Sequence, residues 1–454
     1  MTELLDLATS LVDRAVPGEQ LEVYVARGHD TEIRAYDGAV ESLSSASSSG
    51  VGIRVVLAGE GDDDGNRAGF AWAGSLEPDV VAATLADARD NAVYATPDPD
   101  VVLAVPDGVP AKELDLWDPD FGATPTDRKV DLALALERQV RGADPRVRQV
   151  DSADYGDGSV EVALASTTGI RATTRRTSAF LSVSAIAGEG ADSQTGSGFT
   201  VGRSAGGLDP DRAAAQAVER AVRMLGAGRA RSGRCAVVFD PRVVSTLLSV
   251  ISSALSGEAV VKGRSFFAGR VGEQVATPAV TLVDDPTDPR AYGAATYDGE
   301  GLACRRNVLV QNGVLRGFLF DTVSARRAGT VSTGSAVRGG FSGTPGAGCR
   351  ALVLAPGTLD QDAILAEVGE GLYVQSVTGV HSGVNAVSGD FSVGAEGLTI
   401  RNGVLAEPVR EVTVASTLQR MLQSILHVGG DLEWLPGIAA GQTLAVGDMQ
   451  LSGA

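Results

Sequence analysis

One plan written twice limits what the first half of this chain can become: a helix, a run of alternating strands, and a second helix opened by an acid–proline pair. In the first copy, residues 1–95, a helix over Glu3–Val16 leads into "LEVYVARG", "TEIRAYDG", "AVESLSSAS" and "GVGIRVVLAG". "AGFAWAGS" follows, and a helix opens at "LEPDVVAATLADARDNA". The second copy, residues 125–228, starts with a helix near Thr126–Arg141. It continues through "RVRQVDSADYG", "SVEVALASTTG", "IRATTRRTSAFLSVSAIAG" and "SGFTVGRS", and closes with "LDPDRAAAQAVERAVRML". In the two closing helices Glu77 and Asp209 take the N-cap, and Pro78 and Pro210 take N1, where the missing N–H costs nothing. In "LEVYVA", Leu21, Val23 and Val25 share a face while Glu22 and Tyr24 point away, which is strand periodicity. Two like units of helix, antiparallel sheet and helix predict an α+β domain over residues 1–228. The stretch Thr96–Asp120, rich in proline and aspartate, reads as the connecting loop.

From Arg231 the texture changes. After one helix come short β runs bounded by glycine, among them "RCAVVFD", "AVTLVDD", "CRALVLAPG" and "GLYVQSVTG". Gln311-Asn312-Gly313-Val314 and Arg401-Asn402-Gly403-Val404 set Asn-Gly between apolar alternations, the strongest short-range hairpin signal. A β-dominated second domain over residues 229–454 is expected.

Composition restricts the chemistry. A formal charge of −19 argues against a binder of nucleic-acid backbones, which needs a basic footprint. No run approaches about 18 apolar residues, so no membrane span is expected. The N-terminus, "MTELLDLATSLVDRAV", lacks the basic start of a secretory signal. Cys235, Cys304 and Cys349 are too dispersed for a metal cluster and cannot all pair within the chain. A cytoplasmic protein with buried thiols is expected. The chain has only 3 histidines, His29, His381 and His427, and no two have helical ligand spacing. "GEGDDDGN" (Gly59–Asn66) lacks the twelfth-position glutamate of a calcium loop and reads as a hairpin tip.

The helix opening the second domain holds the main question. Asp240-Pro241 supplies a cap and an N1 proline. Val244, Leu247, Leu248, Ile251 and Leu255 recur at three- and four-residue spacing as one buried stripe, and Gly257 is expected to stop the helix. Ser245, Ser249, Ser252, Ser253 and Ser256 fill other faces. A serine nucleophile needs a base within hydrogen-bond reach, and the sequence offers none here and no G-x-S-x-G elbow. Small polar residues on a half-buried helix are the better account.

At this point the sequence resembles the TldD/PmbA family, also called TldD/TldE. The resemblance spans nearly the whole chain and is strongest in "GRSFFAGRVGEQVATPAVTLVDDP", "YDGEGLACRRNVLVQNGVLRGFLFDTVSARRAG" and "GVNAVSGDFSVGAEGLTIRNGVL". "RAYDGAVESLSSASSSGVGIRVVLAG" and "AGFAWAG" fit it in the first half. The resemblance implies two kinds of subunit. TldD-type subunits carry His-Glu-x-x-x-His on the first helix of the C-terminal domain, plus a later cysteine, and hold a catalytic zinc whose bound water the glutamate would polarise. Counted back from Gly263, those positions fall here on Leu248, Ser249 and Ser253, and no cysteine follows Cys349. The departure matches the PmbA/TldE side, which the resemblance implies to be non-catalytic, with no metal of its own, and paired with a zinc-bearing TldD-type subunit. Such complexes are implied to cleave unfolded or modified peptides.

A subunit without its own chemistry can still shape a cavity and hold substrate. "SVTGVHSGVNAVSGDFSVG" (Ser376–Gly394), with polar tips His381, Ser382, Asn385 and Asp390, is the candidate for a cavity-lining loop, set against plain turn chemistry. Phe266 and Phe267 read as core. Arg264, Arg270 and Glu273 read as candidate inter-subunit contacts, and 322–346 as a loop near the shared interior. Two rivals stand beside the heterodimer: a homodimeric peptide-binding scaffold without proteolytic activity, and a stand-alone hydrolase with unfamiliar chemistry.

Overall fold

The computed structural model describes residues 2–59 and 65–453; the centre of the acidic stretch 59–66 lies outside the described residues. The first half has the expected order: α1 (Thr2–Val12), β1 (Glu19–Tyr36), β2 (Ala39–Leu57), β3 (Arg67–Ala73) and α2 (Pro78–Val93). The second copy gives α3 (Thr126–Ala143), β4 (Val147–Ser166), β5 (Arg171–Ala187), β6 (Gln194–Gly202) and α4 (Pro210–Val222). The two triplets of strands share one antiparallel sheet in the order β3-β2-β1-β4-β5-β6, joined through β1 and β4.

Fewer, longer strands are present than the sequence suggests. "LEVYVARG" and "TEIRAYDG" are halves of β1, and the next two runs are halves of β2. The expected break at Gly28-His29-Asp30 does not occur, because the ladders run through it: His29 lies opposite Ser47 on one side and Ser159 on the other. Glycine inside these strands makes room rather than turns the chain. A Cβ on Gly156 would stand 2.2 Å from the Phe180 ring. The real turn is at Asp37 and Gly38, both at positive φ (49° and 80°), the pattern of a two-residue hairpin loop.

All four helices cover one face of the sheet. Leu21, Val23 and Val25 pack with α1 and α2, while Ile33 and Ala35 pack with α3 and α4. Side-chain alternation sends Glu22 and Tyr24 to the opposite face, which meets the rest of the chain. The stretch 95–118 has no regular element, and Ala104 from it joins Leu164, Ile170, Ala172 and Leu302 in a small core on that face.

The C-terminal half is built on a closed barrel. β7 (Gly233–Phe239) pairs in parallel with the strand Gly371–Thr378 and antiparallel with Leu444–Ser452. Strands Asp390–Arg401 and Val404–Thr417 complete the circuit, the latter returning to pair with Leu444–Ser452. Both Asn-Gly hairpins form: Asn312 and Gly313 have φ of 49° and 80°, Asn402 and Gly403 of 49° and 78°. α5 (Pro241–Ala254) follows β7, and its stripe enters the same core as barrel residues Val237, Phe239, Val374 and Val446. Gly257 does not end this helix. The chain turns at Leu255 and Ser256, and Gly257 begins a short second helix, Gly257–Val261. It is glycine because a Cβ there would stand 2.1 Å from the Phe320 ring.

The sheet and the C-terminal half are joined by buried charge. Glu22 of β1 is bridged by Arg54 of β2 at 3.0 Å and by Arg338 from across the junction. Burial alone would raise the Glu22 carboxyl, but the two guanidiniums hold it below the ordinary range. Glu300, 0% exposed, lies 4.0 Å from Arg54 and accepts from the Thr322 backbone N–H at 2.9 Å and hydroxyl at 2.7 Å. Burial, offset by Arg54 but reinforced by Asp298 and Asp321, pushes this carboxyl up to about 7. Because the unfolded chain loses this proton first, near the ordinary 4.5, the contribution of Glu300 to stability is present below that pH and is lost as pH rises towards 7. Glu300→Gln should therefore gain stability over the wild type between pH 5 and pH 8, a difference readable from thermal midpoints across that range.

Candidate functional site

The site is the cleft where the end of α5 faces the sheet, and α5 is held there from its first residue. Asp240, 2% exposed, caps the helix by accepting from the Arg242 backbone N–H at 3.0 Å. Its other oxygen accepts from Arg220 of α4 at 2.5 Å and from the Tyr373 hydroxyl of the barrel at 2.7 Å. Arg242 stacks over Phe199 of β6, 4.2 Å from the ring centroid.

The three positions where the resemblance places the metal motif do not share one environment. Leu248 is 3% exposed and sits among Val244, Ile251, Leu354, Met421 and Leu444 in the barrel core. Ser249 is half-buried, and its hydroxyl donates to the Ser245 carbonyl at 2.8 Å. Ser253 is exposed and lines the cleft. Among the described residues, no group of three or more His, Cys, Asp or Glu side chains is placed to hold a metal ion. Leucine offers no lone pair and serine is a poor zinc donor, so these residues do not fit a resident zinc.

The cleft measures about 480 Å³ and is lined by Arg176 of β5, Ser253 and Ser256 of the α5 end, Tyr292, Cys349 and Arg350, with glycine backbone between them. The Ser256 hydroxyl donates to the Ala347 carbonyl at 3.2 Å. Cys349 is not an activated nucleophile: burial, and then the Asp284 carboxylate, push its thiol well above the ordinary value. Asp284 lies behind the wall. Burial raises it to about 6, although it accepts from the backbone N–H groups of Ala351 and Arg350 at 2.7 and 2.9 Å. Among the described residues, the charged side chains lining the cleft are Arg176 and Arg350, both donors and neither a carboxylate.

The loop 379–390 spends its polar groups locally. Asn385 Oδ1 accepts from the backbone N–H groups of Val387 at 2.8 Å and Ser388 at 3.2 Å. The Ser388 hydroxyl donates to Asp390 at 2.7 Å, and Ser382 donates to the Gly379 carbonyl at 3.2 Å. His381, Ser382, Asn385 and Asp390 are all exposed, and none lines the cleft. Phe267 is buried with Phe266 packed on it, ring centroids 4.2 Å apart, while Arg270 pairs with Glu273 at 2.8 Å. The segment 322–346 is only partly a loop: it opens with the helix Thr322–Arg327, and its Arg338 reaches Glu22. Sequence reasoning missed Arg176, Tyr292 and Arg350; the two arginines had arginine in an acidic chain as their only advance signal, and Tyr292 had none.

A helix-backed six-stranded sheet fused to a small closed barrel, with a helix-end cleft between them, matches one class of protein. Models of the PmbA/TldA metallopeptidase family cover the chain in order: domain 1 at residues 21–92, the central domain at 119–225 and the C-terminal domain at 232–453. The chain belongs to the PmbA/TldD metallopeptidase family. It is 28% identical over 452 residues to "Metalloprotease PmbA" of Escherichia coli O157:H7, covering 99% of this chain and 94% of that one. It is also 28% identical to "Metalloprotease TldD homolog" of Haemophilus influenzae, over 94% of this chain and 89% of that one. A crystal structure of a proposed DNA gyrase modulator from Bacteroides thetaiotaomicron superposes with a TM-score of 0.88 at 27% identity, over the full length of both chains. TldE from Thermococcus kodakarensis shares the fold, with a TM-score of 0.87 at 24% identity over 100% of this chain and 99% of that one.

Leu248→His would bury an imidazole in an apolar cluster and should cost about 2–5 kcal/mol. Ser253→His, at an exposed position, should stay within about 0.5 kcal/mol of the wild type. Urea denaturation of the two variants checks the contrast.

Proposed function

We propose that this chain is the non-catalytic, TldE/PmbA-like subunit of a two-subunit metallopeptidase that cleaves unfolded or modified peptides. Zinc and bond cleavage belong to a TldD-type partner, and this chain holds no metal. The observation that carries the reading is the state of the motif positions: Leu248 packed in the barrel core, Ser249 bonded to its own helix, and Ser253 alone in the cleft. Relatives named as metalloproteases of both the PmbA and TldD types align over most of their length, which supports a shared peptidase context. The role left to this chain is to hold an extended peptide in the cleft, exclude water around it and present it to the partner. A cytoplasmic setting is part of the reading, supported by three free thiols, two of them buried.

Mixing the purified chain with the TldD-type subunit of its own genome tests this. Cleavage of an unfolded peptide should appear only in the mixture and vanish on chelation. Cleavage by the isolated chain in chelator, or stoichiometric zinc bound by it, would refute the reading. Peptide binding without cleavage in the mixture would point to a scaffold instead.

A further inference from the structure

Among the described residues, the lining of the cleft holds two guanidiniums and no carboxylate; Asp284 and Asp298 stand behind the wall, near Arg350. Arg176 projects from the sheet face opposite the helices and sits at the seam of two cavities, the 480 Å³ cleft and a neighbouring one of about 260 Å³. Its guanidinium carbon is 5.9 Å from the Tyr292 ring centroid. Among the described residues it has no ion-pair partner and no hydrogen-bond acceptor. Arg350 donates to the Ala336 carbonyl at 3.2 Å, and its buried Nε has no partner. Across Tyr292, Arg203 reaches only carbonyl oxygens, at 3.3 to 3.5 Å.

Elsewhere several buried and half-buried guanidiniums find carboxylates, Arg54 and Arg338 on Glu22, Arg89 on Glu19 and Arg220 on Asp240, while Arg242 is held by Ser197, Gln216 and the Phe199 ring. In a chain of net charge −19, guanidiniums gathered at one cleft without a carboxylate are a site prepared for an anion. A guanidinium matches a carboxylate in planarity and donor spacing. The neighbouring cavity is lined by Gly28, Gly158 and Ser178 together with Arg27 and Asp30, whose carboxylate lies over Gly158; beside it there is room for a main chain to run along the sheet at about 3.3 Å per residue.

We propose that Arg176, seconded by Arg350, is a specificity subsite that binds a carboxylate of an extended peptide lying across the two cavities. The proposal rests on the reading of this chain as a peptide-holding subunit. The carboxylate has two sources, an acidic side chain or the peptide's own C-terminus, and the probes separate them.

The test is fluorescence anisotropy with the full chain and unstructured, end-labelled twelve-residue peptides. One carries a central Glu and a C-terminal amide, one Gln and a free C-terminal acid, and one Gln and an amide. At least one acidic peptide should bind about 10-fold tighter than the neutral one, and whichever does names the source. Arg176→Gln should abolish that preference, so that the acidic peptides bind no more tightly than the neutral one, and Arg176→Lys should restore part of it. Unchanged thermal midpoints in both variants exclude misfolding as the cause. Equal binding of all three peptides by the wild type, or a preference that survives Arg176→Gln, overturns the subsite alone. Failure of all three to bind overturns the peptide-holding reading and the subsite with it.

Discussion

One buried carboxylate, Asp240, fixes how α5 stands against the sheet and the barrel, and so where its end meets the cleft. A carboxylate removed from water is costly unless its lone pairs are filled, and Asp240 fills them from three elements: its own helix at Arg242, α4 at Arg220, and the barrel at Tyr373. The cap therefore also sets where the helix stands against the sheet and the barrel. With the start of α5 pinned, its period decides the rest. Val244, Leu247, Leu248 and Ile251 turn into the barrel core, and the end of the helix delivers Ser253 and Ser256 to the cleft.

That rigidity explains why the motif positions cannot be read as a damaged metal site awaiting repair. Leu248 is one member of a packed stripe, and its neighbours on the barrel side are aliphatic or methionine. In a core of this density, exchanging leucine for a polar ring disturbs the packing beyond the site itself. The helix is thus committed to a structural role along its inner face, and only its exposed end remains free to meet a ligand. The proposed division of labour with a zinc-bearing partner is consistent with this commitment, because a cleft that only has to hold a chain needs no ligand on the buried side.

Much of this was legible in local pattern. The acid–proline starts of α2, α4 and α5, the strand alternation of Leu21, Val23 and Val25, and the two Asn-Gly hairpins each follow from one residue's conformational preference, and each is present. Continuity was not legible. Gly28, Gly156 and Gly158 read as punctuation in one dimension, whereas in the sheet they are places where a neighbouring strand, the Phe180 ring and the Asp30 carboxylate come close. The cleft was still less accessible, because Arg176, Ser253, Tyr292 and Arg350 are brought together by the packing of sheet, barrel and loops, and no spacing along the chain records it. The loop 379–390 shows the converse: polar residues between glycines suggested a lining, but Asn385 and Ser388 satisfy their groups within the turn.

Charge distribution links the fold to the proposed role. The junction between sheet and C-terminal half answers Arg54 and Arg338 with Glu22, and leaves Glu300 beside Arg54 with one oxygen unbonded. In that junction each positive group has a negative one within reach, and the surface is closed. At the cleft the balance is different: among the described residues its lining holds two guanidiniums and no carboxylate, and Arg350 Nε has no acceptor. An acidic protein repels acidic ligands at long range, so a local excess of guanidinium has most effect on a ligand already delivered to the cleft. A polymer that enters by its backbone and is then sorted by one carboxylate meets that condition, whereas a small free anion would have to cross the repulsive field unaided.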